Sequence, residues 1–151
     1  MNPNFIYSRI QPHGLEFAWV EAMPWIAKAL GEVNHDHAEL FHIHRGLMNG
    51  YLQLWAIQDK AQKVHLMFLV TELHTIGEGP GAFKTLICRW AAGREMERWL
   101  DEIEILETIA AREGYHKVEA WGRPGWVKAL KPYGYQLEFV VVSKIIQRGM
   151  N

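Results

Sequence analysis

The sequence predicts an α+β domain in which a central, mixed but mostly antiparallel sheet is flanked by helices. Three observations predict this class. Apolar residues recur at helical spacing over the first third of the chain, and alternating, strand-like runs fill the middle. After Gly93 the spacing becomes helical again and leads to a short strand at residues 117–121, which predicts one parallel crossover. At 151 residues the chain is expected to be one domain, spanning residues 1–151.

The first thirty residues predict a short strand and a helix. Residues 5–10 suit a strand that Pro12 and Gly14 end. Residues 15–33 then predict a helix, in which Pro24 removes a backbone donor, so we expect a kink or two abutting segments. Its expected core-facing stripe repeats at steps of three and four residues: Phe17, Val20, Met23, Ile26, Ala27 and Leu30.

A second helix is predicted from Asn34 or Asp36 to about Met48, and its first half is rich in histidine. Its expected apolar face comprises Leu40, Phe41, His44, Leu47 and Met48. A zinc ion needs ligands that converge on one point, but His37 and His44 are two helical turns, or ~10 Å, apart. We therefore expect solvated imidazoles here and no metal site.

Three consecutive strands are predicted in the middle of the chain. Residues 51–57 alternate in hydrophobicity, Asp59 and Lys60 make a tight connection, and residues 64–76 form a long strand. Glycines between residues 77 and 81 predict a turn, and residues 83–90 the third strand. Strands joined this closely are expected to pair antiparallel.

The last third predicts helix, strand, short helix and strand. A helix of roughly five turns is expected from Gly93 to about residue 113, with Gly114 at its left-handed end. The strand at residues 117–121 is expected to lie parallel to the strand ending at residue 90, and a short helix then starts at Pro124. After the Gly134-Tyr135 stop, the apolar run at residues 139–142 is predicted to be the final strand.

A strand, short helix and strand that close on a Gly-aromatic pair resemble the last third of the GNAT fold of N-acetyltransferases. The Gly-Arg-x-Gly-Trp opening at residues 122–126 resembles more specifically the divergent GNAT-like proteins encoded by tailed phages. The resemblance implies a GNAT-like fold over most of the chain, above all residues 51–146. GNAT domains usually carry two strands after the short helix, whereas this sequence offers one.

The resemblance also implies where acetyl-CoA would bind. In the family, the cofactor pyrophosphate lies on free backbone donors at the start of the long helix, in a turn that reads Arg or Gln, two residues, Gly, any residue, then Gly or Ala. The implied cofactor-binding residues are Arg89, Ala91, Ala92, Gly93 and Arg94. The spacing departs from the signature, because Ala92 stands three residues after Arg89 and Glu95 stands two after Gly93.

The catalytic residues implied by the resemblance are also altered. The family protonates the leaving thiolate with a Tyr four residues before the Gly-aromatic stop, and this chain has Leu130 there. Tyr133 is the nearest substitute. For the general base we expect Glu72 or His74, which lie on the same side of the long strand; the alternative is that both are an exposed strand end.

Composition excludes several partner classes. With 16 basic and 17 acidic residues the net charge is −1, so nothing global attracts nucleic acid or an anionic membrane. No window approaches the ~20 apolar residues that a membrane helix needs. Cys88 is the one cysteine, which suits a reducing compartment, and its apolar neighbours predict a buried, inert thiol.

Two functional hypotheses follow. The resemblance implies either an acetyl-CoA-dependent N-acetyltransferase acting on a protein or small-molecule amine, or a phage-encoded structural or assembly protein of the host cytoplasm and the virion. The altered turn and Leu130 favour the assembly role, for which no cofactor is expected and the partners are virion or assembly proteins, with a homo-oligomer as a further option. The seven Trp suit an interface, and we expect its anchors to be Trp121, Arg123 and Trp126.

Overall fold

The computed structural model describes residues 2–31, 36–144 and 146–147. Its five strands are β1 (Phe5–Arg9), β2 (Leu52–Asp59), β3 (Val64–Ile76), β4 (Phe83–Gly93) and β5 (Lys117–Ala120). Its helices are α1 (Leu15–Leu30), α2 (Asp36–Met48), α3 (Met96–Trp99), α4 (Ile103–Arg112) and α5 (Gly125–Leu130). The strands form one sheet in the order β1-β2-β3-β4-β5, antiparallel except for the parallel β4–β5 pair. The predicted α+β class and the parallel crossover are confirmed.

Helices cover both faces of the sheet. On one face α1 and α2 enclose a core that includes Ile26, Ile43 and Phe68, all almost fully buried. On the other face α3, α4 and α5 enclose a second core through Trp99, Leu106 and Trp126. None of the helices in the described part of the chain is long and apolar enough to cross a bilayer.

The predicted core-facing sides of the first two helices were partly wrong. Phe17 and Val20 are 88% and 74% exposed, and the buried residues of α1 are Leu15, Ala22 and Ile26. Both sets have helical spacing and share Ile26, but the buried set includes the small Ala22, which lets the helix approach the sheet closely. In α2, Leu47 is buried as expected and Ile43 is buried as well, whereas Phe41 is 67% exposed and Met48 39% exposed. The helix α1 is one unbroken element through Pro24.

The region after the third sheet strand also differs from the prediction. Instead of ending at residue 90, β4 runs on to Gly93, because Ala91, Ala92 and Gly93 pair with β3. The long helix expected from Gly93 is three segments: α3, a 3-10 turn over Leu100–Glu102, and α4. Only Arg94 and Glu95 connect β4 to α3, and Glu95 takes a left-handed conformation with φ 51°.

The end of the chain is confirmed up to Gly134 and differs after it. Pro124 precedes α5, and Gly134 is left-handed with φ 87°. The run at residues 139–142 was predicted to be a strand, but it joins no sheet and its apolar side chains are exposed. The hydrophobicity of this run had predicted that it would be buried, whereas its side chains are exposed to solvent.

Candidate active site

The parallel strands β4 and β5 diverge halfway along β4. They pair from Thr85 with Lys117 to Cys88 with Ala120, and the last backbone bond runs from the Trp121 N–H to the Cys88 carbonyl at 2.9 Å. There β5 ends and the chain turns into α5, while β4 continues to Gly93. Within the described part of the chain, no strand therefore pairs with residues 89–93 along this edge, and a gap opens through the sheet. We call it the β4–β5 gap.

An apolar cavity of about 80 Å³ lies in the β4–β5 gap on the α4 side of the sheet. Its walls come from the sheet, from the α3–α4 region and from α5, through residues that include Cys88, Ala91, Leu100, Ile103, Trp126 and Leu130. Among the described residues, no charged side chain lines it. Burial raises the pKa of the Cys88 thiol to about 12, so this sulfur stays protonated and the predicted inert thiol is buried as expected.

A bulge in β4 brings Arg89 to the edge of the gap. Val70 pairs with Trp90 and Thr71 with Cys88, so Arg89 has no partner across the β3–β4 ladder. Its guanidinium instead donates to Glu72 Oε2, and the Tyr51 hydroxyl donates to Glu72 Oε1. The Glu72 side chain is only 12% exposed. Glu72, one of the two residues that the sequence suggested as the general base, therefore accepts a hydrogen bond at each carboxylate oxygen next to the gap.

Two tryptophans fix the guanidinium of Arg89. It lies 4.4 Å from the ring centroid of Trp90 and 4.6 Å from that of Trp121, in cation–π contact with both. Trp121 also lines the apolar cavity. Since Glu72 follows the strand alternation of Phe68 and Val70, it faces the α1–α2 side, and the cavity lies on the other side. Trp121 thus contacts both halves of the candidate site.

The polar surface continues onto β5. The indole N–H of Trp121 donates to Glu119 Oε2 at 2.8 Å, and Lys117 Nζ lies 3.1 Å from Glu119 Oε1. Burial raises the pKa of Glu119, but the hydrogen bonds from Trp121 and Lys117 outweigh it and leave the pKa lowered. His74, two residues after Glu72 on the same face of β3, is exposed.

The residues implied for a pyrophosphate lie at the end of β4 and in its connection to α3, and their role in binding stays a prediction. The six-position signature needs a turn, whereas only two residues separate β4 from α3. A Cβ at Gly93 would lie 2.7 Å from the Leu66 carbonyl oxygen and 3.0 Å from Trp99, so this glycine serves close packing. Arg94 lies over Trp25 of α1, 4.4 Å from the ring centroid. Of the implied set, Arg89 and Ala91 reach the gap, while Ala92 is packed in the α1–α2 core.

Tyr133 lies on the far wall of the gap from Glu72. Its hydroxyl donates to Asp101 Oδ1, and this hydrogen bond is the main reason that its pKa is raised. Asp101 lies between the cavity residues Leu100 and Ile103, and Leu130 precedes Tyr133 by three positions. The bond therefore joins the α3–α4 wall to the α5 wall.

The three expected interface anchors occupy different surroundings. Trp126 packs against the α4-side core and fills the space beside Gly122, where a Cβ would lie 2.4 Å from its ring. Arg123 is exposed and donates to the Ala29 carbonyl at the end of α1, at 3.2 Å. Trp121 is 43% exposed. Their role as an interface stays a prediction.

The histidine-rich segment lies partly outside the described residues, since His35 and the side chain of His37 fall there. His44 is described: its Nε2 lies 3.1 Å from Glu16 Oε1 and its ring contacts Trp19. Among the described side chains, no three potential metal ligands come together.

No family model and no curated protein matches the sequence. Solved structures do match. An aminoglycoside acetyltransferase from an uncultured soil metagenomic sample superposes with a TM-score of 0.67 at 11% identity, over 97% of this chain and 100% of that one. A predicted acetyltransferase from Clostridium acetobutylicum, crystallised with acetyl-CoA, gives 0.58 at 11% identity, over 92% and 96%. The fold is that of the GNAT acetyltransferases.

A third match agrees with these two. Ribosomal-protein-alanine N-acetyltransferase from Brucella melitensis biovar Abortus gives a TM-score of 0.60 at 11% identity, over 95% of this chain and 99% of that one. At such identity the likeness concerns the GNAT fold alone, which the sequence had predicted. The phage-specific part of that prediction has no counterpart among these matches.

Sequence reasoning missed Tyr51 and Glu119. Tyr51 immediately precedes β2, and Leu52 pairs with Glu72, so the contact depends on strand register. Glu119 aligns with Ile87 on β4, which in turn pairs with Glu72. The available signal was the alternation of Lys117, Glu119 and Trp121 on one face of the last strand, which becomes informative only once its neighbours are known.

Proposed function

We propose that this protein is an N-acyltransferase that moves a short acyl group from a thioester such as acetyl-CoA to an amine. The observation that carries the proposal is the β4–β5 gap, with an apolar cavity on one face of the sheet and the held carboxylate of Glu72 on the other. A donor and an acceptor can thus approach from opposite faces and meet at Trp121. The GNAT fold supports this assignment over the assembly role that the sequence had favoured.

The two faces of the sheet contribute different parts of the reaction: the cavity side binds the thioester, and the opposite side supplies Glu72. A bound thioester supplies the activated acyl carbon. Glu72, held by Tyr51 and Arg89, accepts the proton that the amine loses as its nitrogen bonds to that carbon. The carbon–sulfur bond then breaks and the thiolate leaves. Because the cavity wall offers Leu130 and no proton donor with an ordinary pKa, we expect the thiolate to take its proton from solvent.

The candidate site suits the acyl-thioester end of acetyl-CoA better than its pyrophosphate. The cavity is apolar and suits an acyl group and the adjoining thioester. The connection between β4 and α3 is only two residues long, Arg94 and Glu95, and the Glu95 carboxylate is unfavourable to an anion there. We therefore infer that the donor is recognised through its acyl and thioester end.

The proposal is tested by mass-spectrometric detection of acetyl transfer from acetyl-CoA to a panel of primary amines. Glu72→Gln keeps the size of the side chain but not its basicity, and we expect a loss of 10²-fold or more in rate, the usual range for a general base. Glu78→Gln, in the exposed turn after β3, is the matched control. Transfer that is absent in the wild type, or unchanged by Glu72→Gln, would contradict the proposal.

A second variant tests the cavity. Ala91 lines it, so Ala91→Leu should fill the cavity and suppress transfer. Ala111→Leu makes the same change at an exposed position of α4 and should leave the rate within about twofold. Equal rates of transfer in the two variants would show that the cavity has no role in the reaction.

A structural or assembly role, as in the tailed-phage proteins that the sequence resembles, is the second candidate. The exposed apolar run at residues 139–142 favours it. Because Trp126 packs in the core, its loss would damage the fold, and Trp121→Ala with Arg123→Ala is the better probe. If these changes impair partner capture or particle assembly while Glu72→Gln does not, the assembly role is favoured.

A further inference from the structure

The apolar cavity of the β4–β5 gap reaches further into the molecule than an acetyl group would. Its lining begins at Trp121, next to the end of β5, and extends past Leu69 of β3 to Ile57. Ile57 lies on β2, three strands away from β5 in the sheet order. An acetyl group places a single methyl about 1.5 Å beyond its carbonyl carbon. The inner part of the cavity would therefore stay empty with an acetyl group bound at the gap.

The volume of the cavity limits the size of a chain that could fill it. A cavity of about 150 Å³ in a protein core holds benzene, which has six carbon atoms, so about 25 Å³ serves each carbon. This cavity measures about 80 Å³, and by the same scale it accommodates roughly three carbon atoms. Three carbons beyond the carbonyl carbon make a butyryl group.

Small side chains keep this space open. Cys88, Ala91 and Ala120 line the cavity from the two strands that border the gap, where larger apolar residues would fill it. Protein cores seldom keep a void larger than a water molecule, and an empty void lowers stability in proportion to its volume. A void that is retained beside the candidate active site indicates a ligand that fills it.

The lining favours an alkyl chain over a polar group. Among the described residues it consists of apolar side chains and the Cys88 thiol. The indole N–H groups of Trp99 and Trp121 already have acceptors outside the cavity. An apolar cavity of this kind stays dry, so an entering chain displaces no bound water, and each of its methylenes leaves water for an apolar wall. The affinity for a chain should therefore rise with its length until the cavity is full.

We propose that the transferred acyl group is larger than acetyl and that the cavity selects a linear chain of about four carbons, as in butyryl. This assignment rests on the proposed N-acyltransferase function and specifies its acyl donor. The thioester lies at Trp121, and the alkyl chain runs under β4 toward Ile57. The amine nitrogen bonds to the carbonyl carbon, the carbon–sulfur bond breaks, Glu72 takes the amine proton, and the thiolate takes a proton from solvent.

Isothermal titration calorimetry with S-acyl-pantetheines of two, three, four, six and eight acyl carbons tests the chain length without an assay of transfer. From acetyl to butyryl, the dissociation constant should fall about fourfold for each added methylene, or about 15-fold in total. Hexanoyl and octanoyl esters should bind more weakly than butyryl, because they overfill the cavity. The proposal is overturned by a constant affinity along the series, by no binding of the butyryl ester, or by an affinity that still rises at octanoyl, as on an open apolar surface.

Met67 allows a matched test at the inner end of the cavity. It lines the cavity and pairs with Ile57 across β2 and β3, so Met67→Ala should lengthen the space and move the optimum from butyryl to hexanoyl. Met48→Ala makes the same change on α2, away from the cavity, and should leave the optimum at butyryl. If Met67→Ala does not fold, Ile57→Val removes one methyl group at the same end and should narrow the difference between butyryl and hexanoyl. A chain-length profile that the folded variant leaves unchanged would contradict this position for the chain.

Transfer assays separate the acyl preference from the function on which it rests. The kcat/KM for transfer from butyryl-CoA should exceed that from acetyl-CoA by about tenfold or more. Transfer that favours acetyl-CoA would overturn the larger acyl group and leave the acyltransferase function standing. Binding that peaks at butyryl, with no transfer from either donor, would support the acyl pocket and contradict the function instead.

Discussion

Glu72 shows how single side chains make this site. Its two carboxylate oxygens accept hydrogen bonds from Tyr51 and Arg89, and Arg89 is itself held between two indoles. A carboxylate fixed in this way has one orientation relative to the β4–β5 gap. The guanidinium also compensates its charge in a half-buried setting, so loss of Arg89 should disturb the position of Glu72 as well as its charge.

The Cys88 thiol gives a prediction at this scale. Because burial raises its pKa to about 12, almost no thiolate exists in the folded protein at pH 8, and thiol reagents attack the thiolate. We expect labelling by iodoacetamide to be slower than for the unfolded chain by 10²-fold or more and to follow unfolding in urea. Rapid labelling of the native protein at pH 8 would contradict the buried position of Cys88.

Gly93 gives a second prediction. A Cβ at this position would lie 2.7 Å from the backbone oxygen of Leu66, and backbone in the middle of a sheet cannot move aside cheaply. Gly93→Ala should lower the free energy of unfolding by about 1–3 kcal/mol, as overpacking does. Gly81→Ala is the control, since its Cβ would meet nothing within 4 Å. Equal stability of the two variants in urea denaturation would refute a packing role for Gly93.

At the scale of elements, the sequence predicted β3 correctly but not the end of β4 or its connection to α3. The hairpin pattern around Asp59 and Lys60 predicted β3 over residues 64–76, and these are the bounds that the structure has. The three small residues before Arg94 carried no such signal, so strand and helix start were equally compatible with them. Backbone pairing of these residues with β3 makes them part of the strand. Tyr51 was missed for a similar reason, because its contact with Glu72 depends on the register between β2 and β3.

The β2–β3 turn gives a prediction at this scale. The Gln62 backbone N–H, at 2.8 Å, and then Arg98 lower the pKa of Asp59, which ties the turn to the α3 segment. The fold therefore stabilises the ionised carboxylate. This contribution is complete above the ordinary pKa of about 4 and is lost as the pH falls through the lowered pKa of the folded state.

Asp59→Asn should accordingly destabilise the protein at pH 7. The difference in free energy of unfolding from the wild type should stay constant down to about pH 5 and shrink below about pH 4. Glu97→Gln, at an exposed carboxylate of α3, should show no such trend. A deficit that grows in acid would reverse the sign of the linkage and exclude this explanation.

At the scale of the whole molecule, the sheet separates the two halves of the candidate site. The α4 side supplies the apolar cavity and the α1–α2 side supplies Glu72, Arg89 and Glu119. The fold class and the order of elements were predictable, since they follow from periodicity and connection length. The donor preference that we propose could not be predicted, because it depends on where β4 ends and on how few residues separate β4 from α3.

The most direct test compares acetyl-CoA with S-acetyl-pantetheine, which keeps the acyl-thioester arm and lacks the pyrophosphate. Both are measured as acetyl donors to one amine, with kcat/KM as the quantity compared. If recognition lies in the β4–β5 gap, the two values should agree within about tenfold, and Ala91→Leu should lower both. A preference for acetyl-CoA of 10³-fold or more, or no transfer from either donor, would contradict the account.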